Sequence, residues 1–158
     1  MGINMKKNKS FWAILLILAV TIIGIIVNGG KSFSGYGEPS GISLLVSILF
    51  VLVWSIASLI YGSNNNRKYL ILSTIYFLSM LLIAGVSFLL SSSHDTLVLF
   101  LIPALTVVIP LYGFVEVLEP LLLSEQIAAI ICISSMVVIN WLIFRIGVYQ
   151  NSRRKTLK

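Results

Sequence analysis

Side chains able to do chemistry are scarce in this chain of 158 residues. It has one histidine (His94), one cysteine (Cys132) and one aspartate (Asp95). His94 and Asp95 are neighbours in the run SSSHDT. A catalytic nucleophile usually draws its base and the group that orients it from separate elements, so an adjacent pair reads first as a solvated loop. The sequence holds no HExxH, no glycine-rich phosphate loop, no GxSxG and no glycine-spaced dinucleotide signature. A lone cysteine allows neither an internal disulfide nor a multi-cysteine metal site. Cys132 sits in an apolar run, where burial keeps a thiol un-ionised and it serves as a small packing residue. The inventory points to a chain that is not an enzyme and carries neither cofactor nor resident metal.

Two groups of polar residues remain. Glu116, Glu119 and Glu125 follow a segment interrupted by Pro103 and Pro110, with Pro120 among them. Glu116 and Glu119 are three apart and could share a helical face before Pro120 ends it. With His94 and Asp95 they would form an acidic cluster able to take a cation or a basic peptide. Asn140 lies inside an apolar run and Arg145 lies near its end. Polar residues at membrane depth are functional candidates by default. The structural alternative is that Asn140 bonds a neighbouring helix and Arg145 reaches for the interface. The candidate ligand- or partner-binding residues are therefore Glu116, Glu119, Glu125, His94, Asp95, Asn140 and Arg145.

The elements that must hold them follow from composition. Hydrophobic residues make up 58% of the chain and charged ones 10%, against roughly 25% charged in a soluble domain. Lipid must replace water over much of the surface, and the fold class is an all-α integral membrane helix bundle forming a single domain. Crossing the hydrocarbon core takes about 20 apolar residues. Runs of that kind cover about 11–28, 41–61, 69–90 and 126–148, with a fifth, proline-broken candidate at 97–115. The first run is longer than the apolar part of a signal peptide and no small-x-small site follows it, so it reads as an uncleaved helix. NGGKSFSGYGEPSG over 28–41 reads as a loop, and GSNNNRK over 62–68 as a short turn.

The net charge of +6 does not point to nucleic acid. The basic residues flank apolar runs, as topology signals do. If 97–115 crosses, the chain has five spans, and Arg153, Arg154, Lys155 and Lys158 lie on the side opposite Lys6, Lys7 and Lys9. If 97–123 instead enters and leaves on the outer face, there are four spans. Both ends are then cytoplasmic, together with Arg67 and Lys68. The positive-inside rule favours the second path. Proline removes a backbone donor and disturbs a helix, which also suits a broken or re-entrant element.

Stripes of small and hydroxyl residues suggest how the helices meet. Ser43, Ser47, Trp54, Ser58 and Tyr61 share one face of the second span. Tyr69, Ser73, Tyr76, Met80, Ala84 and Ser87 share one of the third, and Ala128, Cys132, Ser135 and Ile139 one of the last. Trp12, Tyr61, Tyr69, Trp141 and Tyr149 fall near the proposed inner boundary, as an aromatic belt would. The length, basic ends and thin chemistry are similar in general to small bacterial multi-pass proteins that act as accessory, immunity or regulatory partners. The abundance of Ile, Lys, Asn and Ser fits an AT-rich bacterial genome.

These features lead to a non-enzymatic cell-membrane protein whose partners are the bilayer and another membrane protein or a second copy. A transporter or channel subunit with its site at the broken segment is the alternative, and a membrane enzyme built on His94 ranks third. A topology reporter fused after Ser124 is expected outside and one after Lys158 in the cytoplasm; an external Lys158 reporter would establish five spans.

Overall fold

The computed structural model describes residues 2–34, 41–89, 108–122 and 125–156. They form five helices: α1 (Gly2–Ser34), α2 (Gly41–Ser63), α3 (Arg67–Leu89), α4 (Tyr112–Leu122) and α5 (Glu125–Thr156). No strand occurs among the described residues. Helices α1, α2, α3 and α5 are long and apolar enough to cross a membrane. The 23 residues of α2 and of α3 make rods of about 35 Å, enough for a hydrocarbon core of about 30 Å. The chain is an all-α membrane helix bundle.

Burial is inverted relative to a water-soluble protein. Ile26, Ile42, Leu72 and Leu82 face outward, while Asn28, Ser43, Ser47, Ser58, Ser73 and Asn140 are buried. Lipid tails are as apolar as leucine, so an apolar side chain gains little by turning inward. A polar one finds no water outside and must find a partner inside.

Helix α2 is the hub and packs against each of the other four helices. Its Phe50 and Trp54 meet Phe77 of α3 and Ile133 and Met136 of α5 in the main core. Trp54 stacks on Tyr76 at 5.6 Å between centroids and meets Phe77 edge-on at 4.8 Å. Helices α2 and α5 run parallel: Ser58 lies level with Asn140 and Gly62 with Phe144. Their backbones touch at glycines. A methyl group on Gly62 would collide with the Phe144 carbonyl, and one on Gly147 would come within 2.6 Å of the Leu59 carbonyl.

Two asparagines make the turn from α2 to α3. Asn65 adopts a left-handed φ of 52°. The amides of Asn65 and Asn66 bond the carbonyls of Gly62 and Tyr61, at 2.8 and 3.0 Å, which is a Schellman closure with asparagine in the usual glycine place. Asn66 then caps α3 by accepting the Tyr69 amide at 3.4 Å.

Helix direction follows from these contacts. Ala13 packs with Ala57 and Tyr61, whereas Asn28 bonds Ser43, so α1 is antiparallel to α2. The start of α1, the Asn65 turn and the end of α5 therefore share one end of the bundle. The turn containing Pro110 lies at the other.

The helices depart from the sequence expectation in four places. Helix α1 continues past Asn28 into the glycine-rich stretch, and α5 carries the basic tail on to Thr156, because lengthening an existing helix avoids the cost of nucleation. The helix over 112–122 falls within the stretch 97–123 that the sequence offered as a broken element on the outer face or, over 97–115, as a fifth span; residues 97–107 lie outside the described residues. Pro120 does not end α4, since a proline there forfeits only the bond to the Glu116 carbonyl close to the helix terminus. On α5, Ser135 points outward and its hydroxyl bonds the Ile131 carbonyl at 2.8 Å. Ala128 and Cys132 of the expected stripe are buried and Ile139 is half-buried, and the buried face also takes in Ala129, Ile133, Met136, Asn140, Phe144 and Gly147.

Replacing Gly62 with Leu should destabilise the bundle by about 1–3 kcal/mol through overpacking, read as a lower midpoint on unfolding from mild detergent into SDS. Gly85, with open space around its Cα, should tolerate the same change within about 0.5 kcal/mol.

Candidate functional site

Two buried polar clusters stand out, one towards each end of the bundle. The first is built on the broken segment. Residues 108–111 make tight turns, with the Leu111 amide on the Val108 carbonyl at 3.1 Å and the Tyr112 amide on that of Ile109 at 3.0 Å. Ile109, Pro110 and Leu111 are all buried. Pro110 contributes no N–H, and its ring keeps the preceding residue out of helical geometry. The Ile109 carbonyl takes a second donor beside the Tyr112 amide, and the Pro110 carbonyl takes its donor from another helix.

Asn28 of α1 supplies one. Its Nδ2 donates to the Ile109 carbonyl at 3.0 Å, and its Oδ1 accepts the Ser43 hydroxyl at 2.8 Å. Ser47 of α2 supplies the other. Its hydroxyl lies 2.8 Å from the Pro110 carbonyl and 3.0 Å from that of Ser43, so one proton is shared between two acceptors. The same oxygen accepts the Gly113 amide at 3.0 Å. The first amides of a helix have no intrahelical partner, so Ser47 caps α4 from a different helix. Gly113 permits the contact, because a side chain there would run into the Ser43 backbone.

The second cluster joins three spanning helices around Asn140 of α5. Its Oδ1 accepts the Ser58 hydroxyl of α2, and its Nδ2 donates to the Ser73 hydroxyl of α3 at 2.8 Å. Ser73 passes its own proton to the Leu70 carbonyl at 3.1 Å. The Tyr69 hydroxyl lies 3.1 Å from that of Ser58, and its ring stacks on Tyr61 at 4.1 Å. The Asn140 carboxamide oxygen and nitrogen each meet a protein partner. This arrangement ties three helices together.

The structure disperses the residues singled out in the sequence. Asn140 is at the centre of a cluster. Arg145 is exposed, with its guanidinium 4.8 Å from the centroid of the Trp141 ring, a cation–π contact suited to a charge on an apolar helix. Glu116 is buried on α4 and Glu119 is exposed, so they do not form one open pair. Glu125 opens α5. His94 and Asp95 lie outside the described residues. Among the described residues no three His, Cys, Asp or Glu side chains gather closely enough to hold a metal.

Asn28 is the residue that sequence reading placed wrongly, as the start of a loop. A signal was present: Ala13, Val20, Gly24 and Asn28 recur at helical spacing, and all four are buried. Comparison with protein-family models, with curated proteins and with solved structures gives no match.

Ser47→Ala should leave the Gly113 amide and the Pro110 carbonyl without partners. Loss of buried satisfaction costs about 1–3 kcal/mol, and hydrogen exchange at Gly113 should accelerate well before the α2 and α5 amides respond. Unchanged protection at Gly113 would show that the cap is not needed.

Proposed function

We propose that this chain is a non-enzymatic cell-membrane protein, with both ends in the cytoplasm, that acts by contact with another membrane protein or with a second copy of itself. The supporting observation is how the interior polar groups are used. Asn28, Ser43, Ser47, Ser58, Ser73 and Asn140 bond to one another or to backbone and bind the bundle together. The exposed helix faces are left to make contacts, and α3 is the span with the least of its surface packed inside the bundle. Ile71, Ile75, Leu78 and Leu82 line its outer side at helical spacing, all exposed.

Purification in mild detergent should yield either a stoichiometric complex or a homo-oligomer. Ile75→Trp should weaken it by fivefold or more, on the order of 1 kcal/mol, without lowering the unfolding midpoint. A strictly monomeric particle that retains its biological activity would overturn the reading.

One observation favours a transporter or channel subunit instead: a carboxylate, Glu116, is buried on the helix that follows the broken turn. On that reading Glu116→Gln abolishes flux into vesicles, and unchanged flux removes it.

A further inference from the structure

Helices α1 and α3 both pack on α2 but do not pack along one another. Between them is an open groove of about 540 Å³, within the range of about 300–1,000 Å³ typical of small-ligand sites. Ile14, Ile17 and Leu18 of α1 form one wall and Leu72 and Tyr76 of α3 the other, with Trp54 and Tyr61 of α2 as floor. It runs for about 12 Å along α3 from Lys68 to Tyr76. The walls are apolar and the mouth is polar: Asn66 and Lys68 stand at the end where α3 begins.

Two features distinguish this groove from a plain gap between helices. Among the described residues, its only charged lining residue is cationic. It opens at the end of the bundle that also carries Arg67, the beginning of α1 with Lys6, Lys7 and Lys9, and Arg153 at the end of α5. Trp54, 8% exposed, lines the floor of the groove, with its indole N–H closed off from solvent.

We infer that the groove binds one anionic glycerophospholipid, its phosphate at Lys68 and Asn66 and the upper part of an acyl chain along Ile17, Leu18 and Leu72. Such a lipid matches an apolar slot with a basic mouth. Basic pockets between spanning helices select anionic headgroups in this way. The inference rests on the groove alone and holds whether or not the protein partner proposed above exists.

The test uses the full chain in vesicles, with Trp12→Phe and Trp141→Phe leaving Trp54 as the only indole. Quenching of Trp54 by brominated phosphatidylglycerol is compared with quenching by brominated phosphatidylcholine at equal mole fraction. The expected preference for the anionic lipid is about fivefold, the order set by one basic residue facing an anionic headgroup. Lys68→Gln should erase the preference and leave the protein folded, since Lys68 is exposed. Leu72→Trp, at a position 66% exposed, should fill the slot and remove the phosphatidylglycerol retained by the otherwise native chain in native mass spectrometry. Equal quenching by the two lipids, a preference that survives Lys68→Gln, or lipid retention unchanged by Leu72→Trp would overturn the inference. So would displacement by millimolar glycerol phosphate, which would make the ligand a soluble phosphate, or a co-purifying helix found in the groove in place of lipid.

Discussion

A carbonyl group inside a bilayer must find its hydrogen-bond donor within the protein. Most of this chain meets that requirement by being helical. The turn at Ile109 and Pro110 departs from the helical series. Beside the local bond from the Tyr112 amide to the Ile109 carbonyl, its carbonyls take donors from Asn28 and Ser47 on two other helices. Much else follows from that constraint. Helix α1 must continue far enough to deliver Asn28, so it runs through residues whose composition reads as loop. Helix α4 must begin against α2, so Gly113 must be small. The broken element is thus part of the core, and its packing is of the same kind as that between the long helices.

The Asn140 cluster answers the same constraint differently. Here no backbone is irregular; the polar group is a side chain introduced into an apolar helix. Mutational coupling between such residues in membranes averages about 0.6 kcal/mol. The amide is therefore better seen as fixing rotation and register among three helices than as a large source of stability. A serine on α2 and a serine on α3 can both reach Asn140 only when the three helices are turned correctly about their axes.

Composition and run length disclosed the membrane class and the positions of the long helices, because lipid imposes one dominant rule on length and polarity. The stripe Ser43, Ser47, Trp54, Ser58 and Tyr61 was legible for the same reason, and all five are buried. Asn28 was legible only in part: local composition at NGG argues for a loop, the spacing of Ala13, Val20, Gly24 and Asn28 argues for a buried helical face, and the bond to a carbonyl 81 residues away could not be read from the sequence. Ser135 misled in the opposite sense. A small polar residue fits a helix contact, but in this helix its hydroxyl is satisfied by its own backbone and can face lipid. Glu116 and Glu119 show the limit of spacing arguments. Three residues along a helix are close enough to be neighbours, yet far enough round the axis for one to be inside and the other outside.

The parallel pairing of α2 with α5 bears on how the chain is assembled. Ser58 and Asn140 are 82 residues apart in sequence, and the intervening helix α3 must be in place between their insertions. Long-range closures are entropically slow and come after local ones. A chain that has inserted only α1 to α3 has the hub and two neighbours, but Ser58, Tyr69 and Ser73 then surround the vacant place of an amide not yet made. Gly62 likewise waits for the backbone of Phe144. Helix α5 therefore closes the interior last: until it arrives the serines of α2 and α3 rest on their own carbonyls, and the place between them stays open for Asn140 and the Phe144 backbone.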